Sequence, residues 1–197
     1  MSREGIINTI SLMLITLAAG LLLGIVYEIT KDPIAKEQQR AKEEAYKEVF
    51  SDADSFENLT IDDEAGKEIS KQGMDATINE VMKAIDKNGT MAGYVLTITD
   101  HEGYGGDVQF AMGVRADGTI NGISFLSLSE TAGLGMKAQD DAFKNQFSGK
   151  NVEHFVYTKD GALSDNEIDA ISGATITTNA VTGGVNAGLY YLSKIKK

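Results

Sequence analysis

An apolar stretch near the start of the chain constrains its fold more than any other feature. Residues 5–27 are 23 consecutive positions without a charged side chain, rich in Leu and Ile. As a helix, this stretch would span roughly 34 Å, enough to cross the hydrocarbon core of a bilayer. The alternative is a cleaved signal peptide, which has a shorter apolar region and a more basic start than Arg3 beside Glu4. The pattern therefore favours an uncleaved, single transmembrane anchor.

The residues after the anchor predict a polar connection to a separate domain. Pro33, the only proline, predicts the exit from the anchor. Residues 34–50 are rich in Ala, Glu, Lys, Gln and Arg, which favour a solvated helical stalk. Residues 51–71 are acidic and turn-rich, which predicts an irregular connection with one short strand. The expected division is an anchor over 1–30, a stalk and acidic connection over 31–72, and a domain over 73–197.

The composition excludes several kinds of site. The chain has no cysteine, which excludes disulfides, iron–sulfur ligation, thioether haem attachment and thiol catalysis. His101 and His154 lie far apart and lack the spacing of metal ligands, so no metal site is expected. A net charge of −11 argues against a nucleic-acid partner. A redox function would therefore require an organic cofactor.

Strand patterns dominate the middle of the domain. Alternating apolar residues predict strands over 91–99, 108–115 and 119–127, the last two joined by a tight turn at 116–118. Helical spacing over 74–87 predicts a helix. A short helix is expected over 138–147, a strand over 154–158, and a terminal helix from residue 175 or 176 to 195. The expected fold is α+β: one N-terminal transmembrane helix, then an antiparallel-sheet domain with flanking helices.

The start of the terminal helix allows two interpretations. The first amides of a helix attract phosphate, and here Ser172 and Thr175 add hydroxyl groups while Gly173 leaves room for close approach. The alternative is an ordinary helix cap by Ser172 or Thr175, which the spacing alone favours. No Rossmann, phosphate-loop or nucleophile-elbow motif is present. Hydrolysis by Glu130 and Asp169 stays open, although no pattern favours it.

Three stretches together resemble the FMN-binding domain family. Asp169-Ala-Ile-Ser172-Gly173-Ala174-Thr175 resembles its flavinylation motif, in which a flavin transferase uses FAD to attach FMN, through its phosphate, to the last threonine. Residues 129–135 resemble the family's E-T-P-G-L-G loop, with Ala132 in the place of proline. Residues 103–106 match its G-Y-G-G turn.

The complete arrangement is similar to the G subunits of the Rnf complex, an ion-pumping ferredoxin:NAD oxidoreductase. The C subunits of the sodium-pumping NADH:quinone reductase, which are usually longer, are the second choice. A non-redox structural membrane subunit is a further alternative. The resemblance implies an electron-transfer subunit whose redox chemistry belongs to FMN bound covalently to Thr175, with no catalytic side chain of its own.

The resemblance also implies a set of site residues, with Tyr104, Thr131 and Leu134 against the flavin ring and Glu130 near its edge. The expected cofactor-binding residues are Asp169, Ser172, Gly173, Ala174, Thr178, Glu130, Thr131, Gly133, Leu134, Gly135, Tyr104, Gly105 and Gly106.

Location and partners follow from the anchor and the resemblance. Counting Lys and Arg on either side of the anchor would place the domain in the cytoplasm. The resemblance instead implies the extracytoplasmic side of the inner or plasma membrane. The expected partners are the lipid bilayer, the other membrane and iron–sulfur or flavin subunits of the complex, and the flavin transferase during maturation.

Overall fold

The computed structural model describes residues 2–195 of the 197-residue chain. The chain divides into two compact units, Met1–Ala41 and Lys42–Lys197. Helix α1 (Arg3–Val49) supplies the first unit and ends in the second. Its apolar part is long enough to cross a membrane, and none of it is buried within the protein. The N-terminal apolar helix predicted from the sequence is therefore confirmed.

Pro33, predicted to mark the exit from the anchor, does not interrupt the helix, because α1 continues through this residue. A proline inside a helix removes one backbone hydrogen bond and costs about 3 kcal/mol. The Ala-, Glu- and Lys-rich residues that follow are strong helix formers, and each of them adds a further helical hydrogen bond. The sum of these contributions offsets the local cost at Pro33.

The second unit is built on a five-stranded antiparallel sheet with strands paired in chain order. Three of its strands confirm the strands predicted from alternation, and the whole confirms the predicted α+β class. The strands are β1 (Ser55–Leu59), β2 (Ala76–Ile85), β3 (Met91–Asp100), β4 (Val108–Arg115) and β5 (Ile120–Ser127).

Helices cover both faces of this sheet. Helices α2 (Asp63–Lys71) and α4 (Thr175–Ile195) pack on one face, and the last turns of α1 pack on the other. The remaining elements are a 3₁₀ helix (Gly135–Gln139), helix α3 (Asp141–Lys144) and a parallel strand pair, β6 (Val156–Thr158) with β7 (Glu167–Asp169).

A buried polar network fastens the end of α1 to the sheet. The Tyr46 hydroxyl donates to Glu80 Oε2 at 2.6 Å and lies 2.7 Å from Thr97 Oγ1. Lys42 Nζ donates to the same Glu80 oxygen at 2.8 Å. Burial, followed by the bond to Glu80, raises the pKa of Tyr46, so the phenol stays protonated and keeps its role as a donor.

The helix predicted over 74–87 is wrong, because these residues form β2. Ile78 and Val81 are three residues apart, which is helical spacing. The register of β2 against β3 shifts between Ile78 and Glu80, so the strand holds an extra residue there. This bulge turns Ile78 and Val81 toward the same face of the sheet and imitates a helical pattern.

Two further predictions need correction. Residues 51–71 are not only an irregular strand connection, since they contain α2, whose N-cap Asp62 accepts bonds from the amides of Glu64 and Ala65. The helix expected over 138–147 is divided into the 3₁₀ helix and α3, with Asp140 extended between them. In both places the elements are too short for periodicity to identify.

Glycines let α4 approach the sheet closely. A Cβ atom on Gly184 would lie 2.9 Å from two ring atoms of Phe110, and one on Gly188 would lie 2.4 Å from Met112 Cε. A side chain on Gly184 would clash with a rigid ring, whereas one on Gly188 would require the flexible end of Met112 to move. Close packing therefore accounts for glycines that would otherwise cost the helix about 1 kcal/mol each.

Substitution of Gly184 tests this packing. Gly184→Ala should lower the free energy of unfolding by about 1–2 kcal/mol, because the clash with the Phe110 ring exceeds the gain in helix propensity. The matched control is Gly66→Ala in α2, where a Cβ meets nothing within 4 Å. It should stabilise the protein by about 0.5–1 kcal/mol. Urea unfolding of the full-length protein in detergent measures both effects, and equal shifts would contradict the packing argument.

Candidate functional site

The turn before α4 is held by a single buried hydroxyl group. Thr178 Oγ1 accepts from the amide of Ile171 at 3.0 Å and donates to the carbonyl oxygen of Ala174 at 2.9 Å. The amide of Ala174 donates to the carbonyl oxygen of Ile171 at 3.0 Å. Thr178 thus fixes the turn that precedes Thr175, the first residue of α4.

The backbone amides at the start of α4 favour a negative charge near Thr175. The bond from Thr178 N to Ala174 O, at 3.0 Å, closes the first helical turn, so the amides of residues 175–177 precede the regular bonding of the helix. Together with the helix dipole, these amides favour an anion. Gly173 lies beside them with φ +78°, a conformation suited to glycine, and its lack of a side chain leaves space near Leu134.

Glu130 connects the two glycine-rich loops. Its Oε1 atom accepts from the amides of Tyr104, at 2.9 Å, and Gly105, at 3.4 Å. A Cβ atom on Gly105 would lie 1.9 Å from the carbonyl oxygen of Ser129, so the loops touch through their backbones. One carboxylate therefore sets the position of loop 101–107 against loop 129–135.

Gly135 brings the second loop against α4. A Cβ atom on this residue would lie 2.6 Å from Thr177 Oγ1 and 2.7 Å from Glu130 Oε2. Only a glycine permits this approach. Both loops and the start of α4 consequently converge on one cleft.

The cleft has a volume of about 520 Å³, which is within the range of small-molecule sites. Three of its apolar side chains are exposed, Tyr104 (70%), Leu134 (42%) and Ile176 (51%), and offer contact area to a flat ligand. Glu130 is the one carboxylate among the lining residues described. The lining consists of Tyr104, Glu130, Thr131, Leu134, Gly135, Gly173, Ala174, Thr175, Ile176 and Thr177.

The structure gathers eight of the fourteen residues expected at the site around this cleft. Ile176 and Thr177 also line it and were missed, although their place directly after Thr175 in a predicted helix was a usable signal. The six expected residues that do not line it are Asp169, Ser172, Thr178, Gly105, Gly106 and Gly133. Of these, Gly106 and Gly133 have positive φ angles and shape the loops.

Asp169 and Ser172 lie outside the cleft, and both are exposed. Asp169 Oδ1 accepts from the amide of Ala162 at 2.6 Å, and the Asp169 amide donates to Gln146 Oε1 at 2.6 Å. Asp169 thereby orders the loop between β6 and β7. In the part of the chain that the structure describes, no group of three or more His, Cys, Asp or Glu could hold a metal ion.

Comparison with known proteins relates both units to described families. A model for the FMN-binding domain matches residues 103–190, which include the whole cleft lining. A model for the RnfG N-terminal region matches residues 1–49, which include all of α1.

Curated relatives match along nearly the full length. The G subunit of the Na⁺-translocating ferredoxin:NAD⁺ oxidoreductase complex of Acetobacterium woodii is 33% identical, covering 94% of this chain and 90% of the relative. The G subunit of the ion-translocating oxidoreductase complex of Methanosarcina acetivorans is 31% identical, covering 93% and 92%. The G subunit of the proton-translocating ferredoxin:NAD⁺ oxidoreductase complex of Clostridium ljungdahlii is 31% identical, covering 85% and 80%.

Among solved structures, the C subunit of the Na⁺-translocating NADH-quinone reductase of Parabacteroides distasonis shares the fold. The TM-score is 0.56 at 18% identity, covering 81% of this chain and 94% of that one. NqrC from Shewanella oneidensis gives a TM-score of 0.50 at 22% identity, covering 59% and 60%. This similarity supports the α+β architecture.

Removal of the Glu130 carboxylate should loosen the contact between the loops. In Glu130→Ala, the amides of Tyr104 and Gly105 lose their acceptor, and their hydrogen exchange should accelerate on the order of 10-fold. Glu130→Gln retains an acceptor oxygen, so exchange of these two amides should be faster than in the native protein and slower than in Glu130→Ala. The His101 amide, which donates to Asp75 O, serves as an internal reference. Equal exchange rates in all three proteins would refute the connecting role of Glu130.

Proposed function

This chain belongs to the family of G subunits of ion-translocating ferredoxin:NAD⁺ oxidoreductase complexes, and we propose that it is a membrane-anchored subunit that relays electrons through FMN bound covalently to Thr175. The observation that carries the proposal is the position of Thr175. It is half-buried on the cleft lining, at the first residue of α4 and beside the open backbone of Gly173.

The local charge distribution suits a phosphoester at this threonine. Attachment joins Thr175 Oγ1 to the phosphorus of the FMN half of FAD, breaks the pyrophosphate bond, and releases AMP and the hydroxyl proton. The phosphodiester that remains carries one negative charge. The amides at the start of α4 and the helix dipole stabilise that charge. A covalent bond also prevents loss of the cofactor, which matters for a domain outside the cytoplasm.

The remaining lining residues would hold and orient the flavin. Bound FMN supplies the redox chemistry itself. Tyr104, Leu134 and Ile176 provide exposed apolar surface for the ring, and Glu130 fixes the spacing of the loops that carry the first two. An electron relay converts no substrate, so no residue needs to act as an acid or base on one.

We further infer that α1 anchors the protein in the inner or plasma membrane, with the domain on the extracytoplasmic side. The length of the apolar stretch supports the anchor. In this arrangement the protein contacts the bilayer, the other subunits of its complex and, during maturation, a flavin transferase. The count of Lys and Arg after the anchor points to the opposite orientation, so sidedness is the part of this proposal that the cysteine-labelling experiment below decides.

Replacement of Thr175 tests the attachment site. When the native protein is produced with a flavin transferase, its band on a denaturing gel should fluoresce and its mass should increase by one FMN residue. Thr175→Val should abolish both signals, because the acceptor oxygen is absent. Thr177→Val is the matched control, since it removes the other hydroxyl group at the start of α4 that lines the cleft, and it should retain both signals.

Two results would contradict the assignment. Label that persists in Thr175→Val but disappears in Thr177→Val would move the acceptor to Thr177. Unlabelled native protein that still supports electron transfer in its complex would favour the non-redox structural role.

The absence of native cysteine allows a direct test of sidedness. Leu163→Cys places a thiol at a side chain that is 95% exposed, in the domain. A membrane-impermeant maleimide should label it in cells whose outer layers have been permeabilised while the inner or plasma membrane stays intact. Ser2→Cys, before the anchor, should react only after lysis of the inner membrane. The reverse pattern would place the domain in the cytoplasm.

A further inference from the structure

A buried carboxyl group lies where β3 meets α4. Asp100, the last residue of β3, is 0% exposed and continues the row of Leu96 and Ile98 that faces α4. Its Oδ1 atom accepts from the amide of Glu102 at 3.0 Å. Its Oδ2 atom is buried and has no hydrogen-bond partner among the described residues. An unpartnered, buried carboxylate is costly, which favours the protonated form.

α4 makes room for this carboxyl group without neutralising it. A Cβ atom on Gly183 would lie 3.2 Å from Asp100 Oδ2, and one on Gly184 would lie 3.4 Å from Asp100 Cβ. Helix α4 therefore presents only backbone at this point, and the ring of Phe110 from β4 lies against Gly184.

The charged groups that act on Asp100 all come from its own end of the sheet. Burial is the main cause that raises the pKa of Asp100 to about 7, and the negative charges of Glu102 and Asp75 raise it further. The Glu102 amide and the charge of His101 oppose this shift. Both protonation states are therefore accessible near neutral pH.

Asp100 is also close to the cleft. It directly precedes loop 101–107, in which Tyr104 lines the cleft and is held by Glu130. Along α4, Gly183 follows the lining residue Thr177 by six positions, a distance of about 9 Å. Between these two positions of α4, Thr178, Val181 and Thr182 are buried, and charges act over longer distances among buried groups than in water.

We propose that Asp100 is a proton-accepting residue linked to the redox state of the cleft, an inference that rests on the proposed function. When an electron from the complex's own donor enters the bound flavin, a proton from solvent adds to Asp100 Oδ2 and forms an O–H bond. The negative charge that enters the cleft is the cause, because it raises the proton affinity of the carboxylate. Reoxidation removes the electron, and the proton returns to solvent.

The loop that covers Asp100 provides access for the proton. His101 and Glu102, the next two residues, are both exposed, so solvent reaches the outer side of this loop. A small displacement at Glu102, whose amide bonds to Asp100, would open the carboxyl group to water.

The first experiment measures the midpoint potential of the flavinylated full-length protein against pH. If Asp100 takes up a proton on reduction, the midpoint potential of the native protein should fall more steeply with rising pH than that of Asp100→Asn. The asparagine has a similar size and cannot titrate. Glu102→Gln removes one of the charges that raise the pKa of Asp100, so it should move the pH-dependent part of the curve to lower pH without abolishing it. Identical slopes in the native protein and Asp100→Asn would overturn the proposal.

A second measurement does not depend on the stability of the variant. Reduction of the native flavoprotein should produce an infrared band in the carbonyl-stretch region of a protonated carboxylic acid. Failure to observe such a gain would overturn the proposal even if the potential varied with pH.

A third measurement needs no flavin and separates this inference from the proposed function. The folded pKa of Asp100 is raised above its unfolded value, so its contribution to stability is lost as pH rises from about 4 toward 7. Over this interval the unfolding midpoint of unflavinylated native protein should fall relative to that of Asp100→Asn. Parallel curves would overturn the protonation of Asp100 whether or not the protein binds flavin. A native protein that takes no flavin but shows the divergence would overturn the proposed function and the redox link, and would leave the titration of buried Asp100 in place.

Discussion

The close contact between α4 and the sheet determines where the cleft can form. Gly184 and Gly188 let the helix pack directly against Phe110 and Met112, at separations where an added methyl group would force these side chains to move. Because α4 is held along its length, its first residue, Thr175, is held too, and a half-buried hydroxyl group acquires a fixed position. The hydrogen bonds of Thr178 then set the turn that precedes it. The position of the Thr175 hydroxyl group thus depends on packing about two and a half to three and a half turns further along the helix.

The other side of the cleft is organised by charge rather than by apolar packing. Glu130 belongs to one loop and accepts hydrogen bonds from two amides of the other. The two loops are too short to form an apolar core of their own, so this carboxylate holds them together instead. Bonds to an ionised acceptor are stronger than neutral ones. Gly105 and Gly135 complete the arrangement because they let backbone and carboxylate approach without a side chain between them. Both loops therefore owe their shape to small residues around one charge.

Sequence patterns identified the features with long or distinctive signals. The apolar helix, strands β3 to β5 and α4 were all predicted, because their periodicities extend over eight or more residues. The bulge in β2 caused this strand to be predicted as a helix, since an extra residue between Ile78 and Val81 imitates helical spacing. Short elements such as α2 and β7 were missed. At the site, the motif and loop resemblance indicated most of the lining, but Asp169 and Ser172 lie outside the cleft. Only the fold reveals that Asp100 is buried beside glycines, because no local pattern distinguishes it from an exposed strand-end acid.

The positions of Asp169 and Ser172 bear on the order of events in biosynthesis. Both residues are exposed on the folded domain, and Thr175, on the cleft lining, is only half-buried. On the proposed function, a modifying enzyme can reach the motif without unfolding any element, although it would compete with Ala162 for the Asp169 carboxylate. Folding can precede loading, so the domain itself can serve as the substrate. An enzyme that recognises the folded domain would then leave a chain without the turn at residues 171–175 unmodified.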